Sequence, residues 1–133
     1  MSLEKFLEEW NNPSEFVEVK TSGSTGEPKR MMVEKRRMLN SARITCDFLG
    51  LREGDTALLC MSTDYIAGKM MVVRSIERGL KLISVEPSGH PLATMQPCYE
   101  WNLRTFTLLA LLVVDVLFKG MNNGPDPSQL FFL

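Results

Sequence analysis

Between residues 16 and 86 the apolar residues change period repeatedly, and this narrows the folds open to the chain more than its composition does. Phe16-Val17-Glu18-Val19-Lys20 is β-rich and alternating, which predicts a strand. Arg30 to Val33 resumes a strand after a Gly/Ser/Thr-rich interval, so the two close a hairpin. Lys35 to Leu49 reads as a helix, with Met38, Ala42, Thr45 or Cys46, and Leu49 on one face and Gly50 as its stop. Arg52 to Asp55 is a turn, and Thr56 to Met61 is a short apolar run of the kind found in buried parallel strands. Thr63 or Asp64 is placed to cap a helix over Tyr65 to Arg78, which Gly79 ends. Lys81 to Val85 is a further strand, closed by Pro87 and Gly89. The last five elements form βαβαβ, so the expected class is α/β with a parallel sheet and right-handed crossovers. Ahead of them Leu3, Phe6, Leu7 and Trp10 recur at helical spacing until Asn11-Asn12-Pro13 stops the helix.

Charge is even overall and uneven along the chain. Lys plus Arg number 15 and Asp plus Glu 16, a net charge of −1, which gives no general reason to expect nucleic acid or an anionic membrane as partner. Residues 1–18 nevertheless carry a net −4 and residues 20–37 a net +4, so the electropositive stretch begins where the glycine-rich stretch begins. That placement suits an anionic ligand. Cys46, Cys60 and Cys98 cannot all pair and lack Cys-x-x-Cys spacing, so neither a disulfide scaffold nor a zinc site is expected. A reducing, cytoplasmic setting is the simplest reading, and no secretory signal is visible at the start.

Residues 95–133 hold only five of the 31 charged residues, and Thr105 to Phe118 is almost wholly apolar. A membrane span needs about 20 apolar residues, so this 14-residue run is expected to be buried rather than to cross a bilayer. The Leu130-Phe131-Phe132-Leu133 terminus calls for a covering surface. One reading is therefore a non-enzymatic interaction protein that docks, or associates with itself, through this tail.

The chemistry concentrates in Thr21-Ser22-Gly23-Ser24-Thr25-Gly26-Glu27-Pro28-Lys29. Its glycines admit φ > 0 and let backbone N–H groups approach a ligand. Successive N–H groups in such turns form an anion-binding nest, and Lys29 supplies a mobile positive charge. Together these suit a polyphosphate. The loop is not a Walker A motif, because Pro28 precedes the lysine, Arg30 follows it and a strand comes next. The grip would come from a hydroxyl-rich hairpin loop instead of a helix dipole.

This nonapeptide resembles the signature phosphate loop of the AMP-forming acyl-adenylating enzymes: acyl-CoA synthetases, peptide-synthetase adenylation domains and luciferases. The resemblance continues through Asn40 to Leu49, Leu51 to Asp55, Thr56 to Cys60, Tyr65 to Arg74 and Leu82 to Pro87. Within the superfamily the chain looks most like the short o-succinylbenzoate–CoA ligases of menaquinone synthesis. The resemblance implies that ATP and a carboxylic acid give an acyl-adenylate and pyrophosphate, after which the thiol of CoA displaces AMP, with Mg²⁺ as counter-ion. It implies that Thr21, Ser22, Gly23, Ser24, Thr25, Gly26 and Lys29 wrap the β- and γ-phosphates. It also places Tyr65 beside the acyl pocket, where a capping Asp64 and a core Tyr65 are the plain alternative.

Residues 1–94 are then expected to be the N-terminal part of an AMP-binding domain: a phosphate-loop hairpin followed by a partial βαβαβ sheet. Residues 95–133 are expected to be an irregular, divergent apolar tail, either native, truncated or frame-shifted. The family's ribose-binding aspartate, acidic metal motif and C-terminal lid have no match here, so no catalytic residue is assigned and the chain alone is expected to be inactive. His90 reads as a loop residue, Cys60 as a buried small hydrophobe, and Met70 and Met71 as core. Lys35-Arg36-Arg37 either steers ATP or forms the solvated first turn of a helix.

Overall fold

The computed structural model describes residues 1–21 and 27–86. The elements are α1 (Leu3–Asn11), β1 (Phe16–Thr21), β2 (Lys29–Glu34), α2 (Lys35–Phe48), β3 (Thr56–Leu59), α3 (Ile66–Arg78) and β4 (Lys81–Ser84). Their order is the one the alternating period predicts. The apolar run Thr105 to Phe118, the terminal Phe131-Phe132 pair, His90 and Cys98 lie outside the described residues.

The hairpin β1–β2 is antiparallel, with Val17 opposite Val33, Val19 opposite Met31, and Thr21 opposite Lys29 at the end where the two strands are joined. Val17 and Val19 are fully buried while Glu18 points out, so one face lies on the core as a period of two requires. The parallel ladder joins β3 and β4, with Ala57 beside Leu82 and Leu58 beside Ile83, and Val85 N–H extends it to the Leu59 carbonyl at 3.0 Å. β2 gives its ladder to β1, so among the described residues the parallel pairing is confined to β3 and β4. Ala57, Leu58 and Leu59 are all buried, which is why β3 reads as a continuous apolar run with no polar alternation.

α3 is the centre of the molecule. It packs on α2, β1, β3 and β4, and every residue from Ile66 to Ser75 is buried. A helix enclosed on all sides loses its polar face, so Lys69 and Arg74 are carried inside with Met70, Met71, Val72 and Val73. Gly79 ends it in the left-handed conformation, φ 66°, where a side chain would be strained. The expected cap is corrected: Tyr65 occupies the N-cap position, without a side-chain cap bond. Thr63 Oγ1 instead donates to the Met1 carbonyl at 2.7 Å, and Asp64 pairs with the amino terminus at 2.8 Å. These tertiary partners take the oxygens that a local cap would have used.

α1 lies against this core through Phe6, its one buried residue, with Leu3, Leu7 and Trp10 at the margin. Ser2 caps it, accepting from Lys5 N–H at 3.3 Å. No helix of the described residues is long and apolar enough to cross a membrane.

Candidate functional site: the base of the 22–26 loop

The hairpin register puts Thr21 and Lys29 directly opposite each other, so the interval between them is closed at its base by two of the residues assigned to phosphate. Ser22, Gly23, Ser24, Thr25 and Gly26 lie outside the described residues. Lys29 is exposed and Thr21 half-buried. The preceding register pair sets Lys20 opposite Arg30, two cations side by side on one strand pair. Like charges in that relation cost stability. Glu18, diagonal to Arg30, relieves part of it through an ion pair at 3.1 Å. Positive charge therefore gathers where the loop leaves the sheet, which is electrostatically fit for an anion.

Tyr65 comes to the same place. Lys20 and Tyr65 pair as an isolated parallel β-bridge, so the backbone entering α3 runs beside the backbone entering the loop. Tyr65 is 36 % exposed and so is not a core tyrosine, and Asp64 does not cap α3. The geometry thus sets Tyr65 along one edge of β1 at Lys20 and Lys29 along the other edge at Thr21. Lys20 escaped the sequence reading although it directly precedes the motif, because only the pairing with Tyr65 reveals its position.

The Asp64 carboxyl is held below the ordinary carboxylate range. The main cause is the hydrogen bond from the amino terminus; the Ser62 hydroxyl and the nearby Lys20 charge add to it, against the opposing effect of burial. A depressed carboxylate stabilises the fold above its unfolded pKa, about 3.9, and that contribution disappears as pH falls through the lower folded value. Asp64→Asn is therefore expected to lower the melting temperature slightly at pH 6 to 7, the side chain being 43 % exposed, and the difference from the native chain should shrink as the pH is lowered into the acid range. Thermal melts across pH check this.

In the basic run Lys35-Arg36-Arg37, which opens α2, Lys35 is engaged within the fold. Lys35 Nζ donates to the Asn12 carbonyl at 2.8 Å and to its Oδ1 at 3.0 Å, and lies 5.9 Å from the Trp10 ring centroid. Arg37 faces Glu34 at 3.9 Å. Lys35 is a tether between α2 and the end of α1. Cys60 is half-buried, and burial raises its thiol pKa, as it does for the fully buried Cys46. A raised pKa suits packing better than nucleophilic attack.

Among the described residues no group of three His, Cys, Asp or Glu side chains could hold a metal ion. The donor set at the loop base is hydroxyl and ammonium, which fits a phosphate chain and does not form a Mg²⁺ cage.

No family model matches the chain. It is similar to the 2-succinylbenzoate–CoA ligase of Bacillus cytotoxicus, 27 % identical over 123 residues, covering 92 % of this chain and 25 % of that ligase. It is similar also to the 2-succinylbenzoate–CoA ligase of Enterococcus faecalis, 27 % identical, covering 90 % of this chain and 28 % of the relative. Among solved structures it resembles an acyl-CoA synthetase (AMP-forming)/AMP-acid ligase II-like protein from Dyadobacter fermentans, with a TM-score of 0.65 and 39 % identity over 70 % of this chain and 27 % of that one. The chain spans about a quarter of the length of the curated relatives it matches. Similar sequence and similar fold agree: over about a quarter of their length, the chain is similar to 2-succinylbenzoate–CoA ligases in sequence and to an AMP-forming acyl-CoA synthetase-like protein in fold.

Proposed function

We propose that this chain is the phosphate-gripping portion of an ATP-dependent acid–CoA ligase, with o-succinylbenzoate, a precursor of menaquinone, as the acid. The observation that carries the reading is the closure of the Thr21–Lys29 interval by its own end residues, beside Lys20 and Tyr65. In the reaction a substrate carboxylate oxygen attacks the α-phosphorus of ATP. A P–O bond forms to the acyl group, the α–β bridging bond breaks, and pyrophosphate carries away the electron pair. CoA thiol then attacks the acyl carbon and AMP leaves.

This chain's part is electrostatic. Lys29, with the hydroxyls and backbone N–H groups of residues 21–26, is assigned to the β- and γ-phosphates, where negative charge grows as pyrophosphate departs. Donors aimed at developing charge favour the transition state over the ground state. Mg²⁺, bound on the nucleotide, would neutralise part of the same charge. Tyr65, partly exposed at the edge of this cluster, is assigned to the acyl side.

Isothermal titration of the chain with Mg·ATP tests the reading. Lys29→Ala is expected to weaken binding by about tenfold or more, the value of one charge-assisted hydrogen bond of about 1.5–3 kcal/mol. Lys29 is exposed and is the first residue of β2, so its loss should leave the melting temperature within about a degree. Equal affinities for both proteins would remove the loop from the mechanism. Acyl-CoA synthesis by these 133 residues alone is expected to fall below detection.

A further inference from the structure

Lys69 is a cation that the proposed reaction does not use and that the fold nevertheless buries, its side chain 3 % exposed. We propose that Lys69 and Glu9 form a clamp that stands in for a third strand on the free edge of β1, making Lys69 a positioning residue that holds the loop base against Tyr65. The consequence for nucleotide rests on the phosphate-loop reading; the clamp itself does not.

In an antiparallel pair, alternate residues turn their N–H and C=O groups toward the partner and away from it. The Lys35 N–H bond to the Glu15 carbonyl, 2.8 Å, shows that the odd residues of β1 face β2. The even residues, Phe16, Glu18 and Lys20, therefore face an edge with no neighbouring strand among the described residues. Each is satisfied from elsewhere. Ser14 Oγ accepts from Phe16 N–H at 3.1 Å and donates to its carbonyl at 3.0 Å. Glu9 Oε1 accepts from Glu18 N–H at 3.3 Å, and Lys69 Nζ donates to the Glu18 carbonyl at 2.6 Å. Lys20 pairs with Tyr65.

The middle partners are themselves joined, because Lys69 Nζ also donates to Glu9 Oε2 at 3.0 Å. One carboxylate and one ammonium thus serve both backbone groups of Glu18 and each other. The Phe6 ring closes the site from one side, 5.1 Å from Nζ. Lys69 N–H donates to the Tyr65 carbonyl at 3.1 Å, so the clamp sits one helical turn into α3 from the residue that pairs with Lys20. A closed circuit results: Tyr65 to Lys69 along the helix, Lys69 to Glu18 across the edge, Glu18 to Lys20 along the strand, and Lys20 back to Tyr65.

A buried ion pair adds little net stability over a well-packed apolar pair, because desolvation opposes the attraction. Its value here is directional. An ammonium with three protons fixes a carbonyl and a carboxylate at set distances, whereas a methionine of similar length would fill the space and leave the Glu18 carbonyl unpaired.

Amide hydrogen exchange and Mg·ATP titration on the full chain, comparing the native sequence with Lys69→Met and Glu9→Gln, test the proposal. In Lys69→Met the amides of Glu18 and Lys20 should exchange about tenfold faster than in the native chain while those of β3 and β4 hold their rates. Mg·ATP affinity should fall about tenfold with them. Glu9→Gln keeps an oxygen for Glu18 N–H and loses the charge, so it should show the same local change to a smaller degree; it carries the test should Lys69→Met not fold. Acceleration spread evenly over all amides, or unchanged exchange at Glu18 and Lys20, overturns the clamp. Local acceleration with Mg·ATP bound equally by native and variant chains overturns the positioning role. Local acceleration in a chain whose native form does not bind Mg·ATP leaves the clamp standing and sinks the phosphate-loop reading instead.

Discussion

Gly68→Ala is expected to lower the stability of the chain by about 3 kcal/mol, the upper end of what overpacking costs and large for a single methyl group. In an exposed helix interior the same change would stabilise by about 1 kcal/mol, because glycine is the poorer helix former. Here the sign inverts. A Cβ on Gly68 would press on the carbonyl oxygen of Ser62, 2.7 Å from its carbon and 3.0 Å from the nitrogen of Thr63. All three neighbours are backbone atoms, which cannot swing aside as a side chain can. α3 is buried around its whole circumference from Ile66 to Ser75, so it cannot retreat either. Urea denaturation of the variant against the native chain measures the loss. Gly50→Ala is the control: its Cβ would meet nothing within 4 Å, so only its φ of +61° carries a cost, about 1 kcal/mol. A Gly68→Ala midpoint at or above the native one would mean that α3 does not approach Ser62 this closely. The seating of Tyr65 beside Lys20 would then fall too, because Tyr65 N–H donates to that same Ser62 carbonyl.

The elements were legible in the sequence because each carries its own periodic signal and its own stop. Gly50 and Gly79 end α2 and α3 at positive φ, 61° and 66°, and Arg52 N–H bonds Asp55 Oδ2 within the expected turn at 2.8 Å. The continuous apolar run of β3 correctly indicated a strand covered on both faces. Long-range choices were less legible. Thr63 and Asp64 have cap chemistry, yet the amino-terminal segment reaches them first, a contact across some sixty residues that no local pattern encodes. Of the candidate site, Thr21 and Lys29 were readable as the ends of a hydroxyl- and glycine-rich interval between strands. Lys20 was not, because its relevance comes from a bridge to a residue 45 positions away. Lys69 did leave a trace: a lone cation inside Ile66 to Val73, where a solvated helix would show a polar face. It escaped the sequence reading; taken as an anomaly it would have pointed to a buried carboxylate or carbonyl partner, and Glu9 and Glu18 supply one of each.

Phe6→Ala should detach α1 and cost about 4 kcal/mol, the range for emptying a buried aromatic site. Phe6 is the single buried side chain of that nine-residue helix. Its ring meets Trp10 at 6.1 Å and 50°, and Lys69 Nζ stands 5.1 Å from its centroid. Deleting the ring removes apolar area and also a cation–π contact of about 1 kcal/mol with an ion that is itself out of water. Nine residues are too few to hold a helix in isolation, so a detached α1 should also melt. Far-ultraviolet circular dichroism should then lose the contribution of the nine residues of α1 at temperatures where the 14 of α2 and 13 of α3 persist. In a Trp101→Phe background Trp10 is the sole indole emitter, and its emission should move toward that of a solvated indole. Phe6→Leu, which keeps most of the volume, should cost about 1.5 kcal/mol and leave the emission in place. The effect should extend beyond α1, because Glu9 travels with the helix. Once it leaves, Lys69 keeps its bond to the Glu18 carbonyl and loses its carboxylate, and an uncompensated buried charge is more destabilising than the absence of the pair. Phe6→Ala combined with Lys69→Met should therefore be less destabilised than the two single costs summed, by about 1 kcal/mol or more. Additive costs would show that Phe6 packs against Lys69 without governing whether its partner is present.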